Sequence, residues 1–183
     1  MKIISEIISP GIEAVQNNYN QGKIGKSELN FLEKIISNSI QIINLENIEI
    51  NPKKNVIVIS ADYQSSLLAE AASASFHTDG WQVFSLGDMS SAIDVLFDLD
   101  LQKFVAKIWK SRIGIMIIVV FSSTEDGLKF FAESINSIKS KFRRNLYLAL
   151  CGDIKKNTVI KADLMGENLE TTLQWSQTTF ESS

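Results

Sequence analysis

The chain has 183 residues, 45% hydrophobic and 21% charged, with 18 basic and 21 acidic groups for a formal charge of −3. This profile excludes a disordered chain and gives neither nucleic acid nor an anionic membrane a global electrostatic hold. A core at this length buries about 70% of the unfolded-chain surface, so no disulfide or metal is needed for folding. The one cysteine, Cys151, has no partner within the chain and fits a reducing cytoplasm. Ser5 and Glu6 interrupt the first apolar residues before a signal-peptide core can form. The longest apolar run, Ile113 to Phe121, falls far short of the ~20 residues of a membrane helix. A cytoplasmic protein with no membrane segment is expected.

Ser9-Pro10 predicts a helix start, since proline in a first turn gives up no needed hydrogen bond, and Ile12, Val15 and Tyr19 follow at helical spacing. Gly22 closes this helix and Ser27 caps the next, whose apolar positions are Leu29, Leu32, Ile35, Ile36, Ile40 and Ile43. Residues 1–50 therefore read as a helical module. From Asn51-Pro52-Lys53-Lys54-Asn55 onward, strands and helices alternate. Asn55–Ser60 is an uncharged, β-branched run, the pattern of a strand covered on both faces. Ser65–His77 predicts an alanine-rich helix, Trp81–Leu86 a second strand and Leu96–Trp109 a helix. Ile113–Phe121 is the third strand, Glu125–Phe142 a helix with one apolar face, and Leu146–Leu150 the fourth strand. Thr158–Lys161 reads as a short fifth strand, Asn168–Trp175 as a last helix, and Ser176–Ser183 as a polar tail that frays. Each strand must return through a right-handed helical crossover, so pairing is parallel. Residues 51–176 form a doubly wound α/β domain of five strands with helices on both faces, and 177–183 the tail.

Ligands of such sheets bind outside the carboxyl ends of the strands, beside the point where strand order reverses. That rule nominates Asp62-Tyr63-Gln64-Ser65-Ser66, Gly87-Asp88-Met89, Ser122-Ser123-Thr124 and Cys151-Gly152-Asp153. Their hydroxyls and carboxylates suit a polar ligand, but the same residue types cap helices, and capping is the commoner use of any one of them. The turn after strand one lacks the glycines of a phosphate loop, and Ser60, Ser65 and Ser66 imitate a flavodoxin loop only loosely. Strand three ends Val119-Val120-Phe121-Ser122, where a phosphoreceiver needs its aspartate. His77, the sole histidine, is expected far from these loops, and Cys151 reads as a small hydrophobe in a tight turn. Neither a Cys-His dyad nor a zinc spacing results. Lys139, Lys141, Arg143 and Arg144 with Lys155, Lys156 and Lys161, and Asp88, Asp94, Asp98 and Asp100, read as solvated faces that can also steer a charged protein partner.

Several stretches together carry a family likeness. Pro10-Gly11-Ile12, Val15, Tyr19 and Gly22-Lys23-Ile24 in the helical half, then Asp79-Gly80-Trp81, Ser85-Leu86-Gly87-Asp88 and Cys151-Gly152 in the sheet half, resemble the cobalamin (B12)-binding domain. The form resembled is the two-module one of corrinoid proteins and B12-dependent photoreceptor regulators, over roughly Ile8 to Trp175. It implies a flavodoxin-like, B12-binding-like sheet preceded by a helical module. The family's cobalt-ligating Asp-x-His-x-x-Gly motif falls on Tyr63, Ser65 and Leu68, and the residues covering the upper ligand fall on Tyr19, Leu29 and Asn30, of which only the aromatic is kept. The family's serine near the end of strand three gives way to an aliphatic residue, with Ser122 and Ser123 close by.

The resemblance thus implies a retained scaffold without cobalt ligation. The expected protein is a non-enzymatic regulator or adaptor in signalling or transcriptional control, acting by protein contact, with no cofactor, no metal and no direct contact with nucleic acid. Its partner would be a transcription regulator or photoreceptor, and self-association stays open. The expected cleft comprises Tyr19, Asp62, Tyr63, Ser65, Leu68, Ser122, Ser123, Cys151 and Gly152, with Tyr63 and Leu68 plugging it. The alternative is a tetrapyrrole sensor or corrinoid carrier holding cobalamin or haem, with His77 the only histidine available to haem iron. A flavin-dependent oxidoreductase comes third, with only fragments of its site present.

Overall fold

A computed structural model describes residues 3–43, 48–92, 97–152, 160–166 and 168–183. The described strands are β1 (Asn51–Ser60), β2 (Trp81–Asp88), β3 (Ile115–Phe121), β4 (Leu146–Cys151) and β5 (Leu164–Gly166). They pair in parallel in the order β2-β1-β3-β4-β5, the flavodoxin-like arrangement, as the alternating sequence pattern implies. The helices are α1 (Ser9–Asn20), α2 (Lys26–Ile43), α3 (Ser66–Thr78), α4 (Phe97–Ile108), α5 (Glu125–Lys139) and α6 (Leu169–Glu181). None of the described helices is long and apolar enough to cross a membrane.

Alternation along the central strands sorts their side chains into two cores. Val56, Val58, Ile117 and Val119 face α3, α6 and the helical module, where Ile4, Ile8, Ile12 and Ile40 complete one cluster. Ile57, Ile59, Met116, Ile118 and Val120 face α4 and α5 in the other. Both faces of β1 and β3 are therefore covered, which explains why their sequences show unbroken apolar runs rather than alternation.

Several boundaries move, each for a local reason. The first helix begins upstream of Pro10 with a π-helical turn, Ile4–Ile8. Proline offers no N–H and crowds the carbonyl four residues back, so the chain widens there rather than starting there. β1 begins at Asn51, and its pairing with β2 jumps from Asn51↔Trp81 to Asn55↔Gln82, a bulge that accommodates Pro52 inside a strand. β3 begins at Ile115 because Gly114 turns the chain at φ +70°, with its Cα so close to the Lys53 backbone that no Cβ fits. Leu96, the expected start of the fourth helix, lies outside the described residues.

The fifth strand is Leu164–Gly166 rather than Thr158–Lys161. Residues 158 and 159 lie outside the described residues, and Ile160 and Lys161 are not strand. Asp163 sets the later start: its N–H donates to the Leu148 carbonyl, and its carboxylate takes the Leu148 N–H and pairs with Lys139, so the chain docks on β4 only there.

The polar tail does not fray either. α6 continues to Glu181, with Leu169, Leu173, Ser176 and Phe180 on one face. Ser176 is buried and its hydroxyl donates to the Thr172 carbonyl, while Phe180 meets the edge of buried Trp81 at 6.2 Å. The Lys54 ammonium lies 5.0 Å from the Phe180 ring and also bonds Gln177. Serine, threonine and glutamine dominate this segment, and the single Phe180 that anchors it is easily overlooked. Deleting residues 177–183 is expected to cost about 1–3 kcal/mol by stripping Trp81 of this cover, a fall of several °C in melting temperature by calorimetry. An unchanged melting temperature would show that the helix end is not held by this contact.

Candidate functional site

The carboxyl ends of the strands are level: Ser60 pairs with both Asp88 and Phe121, and Phe121 with Cys151. After β1 the chain leaves toward one face as α3, and after β3 toward the other as α5. The crevice between those two ends is where open parallel sheets bind ligands.

Asp62 occupies it. Its Oδ1 accepts the Ser65 N–H and the Ser65 hydroxyl, each at 2.9 Å, and its Oδ2 accepts the Ser122 hydroxyl and the Ser123 N–H, each at 2.8 Å. Burial pushes the carboxyl pKa up, but these four donors, Ser122 foremost, outweigh it and hold the group below the ordinary 3.8. The carboxylate thus caps the turn leading into α3 and ties β1 to β3 in one stroke. Next to it, Thr124 Oγ1 accepts the Gly127 N–H and caps α5. Capping, the commoner use for these loop residues, is what Asp62 and Thr124 do.

Cys151 and Gly152 also serve the framework. The Cys151 thiol lies 3.0 Å from Thr172 Oγ1, whose proton goes to the Asn168 carbonyl, so the thiol donates. Burial pushes the thiol pKa up to about 12, and a group so reluctant to ionise is no nucleophile. A Cβ on Gly152 would strike the Ser122 carbonyl, so glycine is needed for β4 to end against β3.

Above this floor lies a cleft of about 320 Å³ between α1 and the strand ends. Ser65, Leu68, Ser122, Ser123, Cys151 and Gly152 meet on it, together with Asn168 and Leu169 from the start of α6. Asp62 braces the floor from beneath rather than lining it. Tyr19 and Tyr63 lie instead on a neighbouring hollow of about 180 Å³ near the α1–α2 turn. Tyr63 does not plug the cleft: it is 64% exposed, and its hydroxyl donates to Glu33 Oε2 on α2 at 3.3 Å. A phenol seeks a polar partner, and Glu33, whose charge also raises the Tyr63 pKa, supplies one outside. Leu68, half-buried, is the one expected plug residue that reaches the space.

The sequence reading missed Ser9, Glu13, Gln16 and Asn20, which form the cleft's other wall. Their spacing of four, three and four residues is a polar stripe beside the apolar stripe of α1, and that stripe was the available signal. Gln16 also fixes the module in place by donating to the Gln64 carbonyl at 2.7 Å. Glu13 is the only charged residue among those lining the cleft, so the described wall offers no cation to a phosphate.

Lys139 pairs with Asp163, Lys103 with Asp100, and Lys141 bonds Gln102. Asp94, Lys155 and Lys156 and the side chains of Arg143 and Arg144 lie outside the described residues.

No protein-family model matches the chain, and no curated protein matches it. Solved structures do. One is the monomethylamine corrinoid protein of Methanosarcina barkeri, 14% identical, with a TM-score of 0.64 over 100% of this chain and 83% of that one. At that identity the likeness is one of fold: a B12-binding-like parallel sheet under a helical module.

The fold therefore raises corrinoid as a ligand, and no imidazole stands among the described residues lining the cleft. At the positions that the resemblance assigns to the cobalt-ligating motif, the loop after β1 carries Tyr63, Ser65 and Leu68. His77 stands in the last turn of α3 beside the start of β2, at the opposite end of the sheet, and is equally remote from a haem in the cleft. Below the cleft, Cys151, Thr172, Leu173 and Ser176 are buried where α6 packs on β4 and α3.

Replacing Asp62 by Asn substitutes an NH₂ for one acceptor and faces donors with a donor. Asp62→Asn is expected to lose about 1–3 kcal/mol at neutral pH. Because the folded pKa lies below 3.8, the carboxylate's contribution is present above that value and disappears as pH falls through the lowered one. Denaturant unfolding of both proteins should show the gap narrowing below pH ~4; a gap independent of pH would mean the charge contributes nothing.

Proposed function

We propose that the protein is a non-enzymatic regulator or adaptor, built on a B12-binding-like scaffold that has given up cobalt ligation and acting by contact with another protein in signalling or transcriptional control. The observation that supports this most is the use made of the loop after β1. The loop that would have to present a metal-ligating side chain upward spends Asp62 and Ser65 on bracing β1 against β3. Cys151, the one thiol, is buried and protonated, and the sole histidine is at the other end of the sheet. Of the described residues lining the cleft, Cys151 is held protonated and Glu13 is the one carboxylate, with no histidine beside it. A partner such as a transcription regulator or a photoreceptor would meet the neutral, hydroxyl- and amide-lined wall formed by Gln16, Asn20, Ser122 and Ser123.

A second reading, a corrinoid carrier or tetrapyrrole sensor, draws on the fold of the M. barkeri protein and on the cleft's position over the strand ends. Colour separates the two. The protein, purified in dim light, is incubated with aquocobalamin, methylcobalamin, haemin or FMN, passed through a desalting column and scanned across the visible range. The adaptor reading expects a colourless protein each time. A chromophore retained in stoichiometric amount would overturn it and favour the carrier.

A further inference from the structure

The hollow of about 180 Å³ that Tyr19 and Tyr63 line has walls of defined chemistry. α2 contributes Lys26, Leu29, Asn30 and Glu33, which at spacings of three, four and seven share one helical face. α1 contributes Tyr19 with the amides of Gln16 and Asn20, and the turn after β1 adds Tyr63 and Gln64. The Gln16 bond to the Gln64 carbonyl and the Tyr63 bond to Glu33 fasten that turn to both helices. The hollow is therefore bounded by three elements that are tied to one another.

Two of its lining residues are charged, and with opposite sign: Lys26 and Glu33. Seven residues of helix set them roughly 10 Å apart along the axis, beyond the three- or four-residue spacing at which helical ion pairs form. Neither has an ion-pair partner among the described residues, and Glu33 uses only Oε2, for Tyr63. Lys26 is the first residue of α2, where the helix dipole adds to its positive field. Between the two charges lie the apolar Leu29 and the amide of Asn30. Tyr19 and Tyr63 are 37% and 64% exposed, and exposed phenol rings offer their faces to a cation.

We propose that this hollow binds a small zwitterion of amino-acid size, with its carboxylate on Lys26 and its ammonium on Glu33 beside the two phenol rings. Such a ligand makes a charge-assisted contact at each end. A simple anion would face the Glu33 carboxylate and a simple cation the Lys26 ammonium, so each is repelled at one end where the zwitterion is attracted at both. Leu29 suits the short hydrocarbon between the ligand's charges, and the amides of Gln16, Asn20 and Asn30 serve its remaining polar atoms. The volume sets the size, since it lies below the roughly 300–1,000 Å³ of pockets that enclose drug-sized ligands.

This binding is independent of the adaptor reading and is tested separately, by calorimetric titration of the full chain. The ligands are L-leucine, L-glutamine and δ-aminovalerate, with valerate and pentylamine as singly charged controls. At least one zwitterion is expected to bind saturably, one per chain, with a Kd of ~1 mM or tighter, and the controls about tenfold more weakly. Lys26→Met and Glu33→Gln are each expected to weaken that binding by about tenfold, whereas Lys26→Arg keeps it. Neither residue belongs to the core, so melting temperatures should hold. Should Glu33→Gln lower its own by loosening Tyr63, Lys26→Met carries the comparison alone. No saturable heat from any zwitterion at about 10 mM overturns the proposal. So does a control that binds as tightly as δ-aminovalerate, or an affinity that Lys26→Met leaves unmoved, which would place the ligand elsewhere.

Discussion

A doubly wound sheet has one weak seam, the switch point, where neighbouring strands send their helices to opposite faces and nothing covalent or helical spans the gap. Asp62 closes that seam. Its two oxygens take two donors from the chain leaving β1 and two from the chain leaving β3, so one side chain fixes the ends of both central strands. Much else is placed by it. The N-terminus of α3 follows from its cap, the Ser122 hydroxyl is drawn into the floor, and Gly152 is then forced by the Ser122 carbonyl that lies against it.

The same economy removes the polar groups a ligand would use. A carboxylate held below its ordinary pKa by four internal donors has few lone pairs left for a ligand. What remains above the floor is mostly uncharged: amides and the Glu13 carboxylate from α1, hydroxyls from the strand ends and the side of Leu68. The sheet order, the level strand ends and the helical cover are those of a B12-binding-like fold, and Asp62, Ser65, Ser122 and Cys151 at the strand ends are engaged in the framework.

The parts legible in the sequence were those set by burial over many residues. Uncharged β-branched runs gave β1 and β3, their alternation with helices gave parallel pairing, and the strand-end rule brought Ser65, Ser122, Ser123, Cys151 and Gly152 to one place. What escaped depended on one or two contacts. Phe180 holding α6 against Trp81, Asp163 delaying β5, and Glu33 drawing Tyr63 out of the cleft are all partnerships between residues remote in sequence. No periodicity announces them. The amide wall of α1 was missed for another reason: glutamine and asparagine beside an apolar stripe look like solvent-facing residues until something is placed opposite them.

The module's attachment also bears on how contacts at its two sides would relate. Apart from its isoleucine core, it meets the α/β domain through Gln16 to the Gln64 carbonyl, Tyr63 to Glu33, and Ser37 and Gln41 to Glu70. The first two engage the turn that Asp62 braces. A partner pressing on the outer face would have to break them, or pull Asp62 from its four donors, before it could shift the cleft. Such a hinge costs more than a surface hydrogen bond is worth, because the turn is anchored on both central strands. The hairpin is thus tied, through that turn, to both central strands.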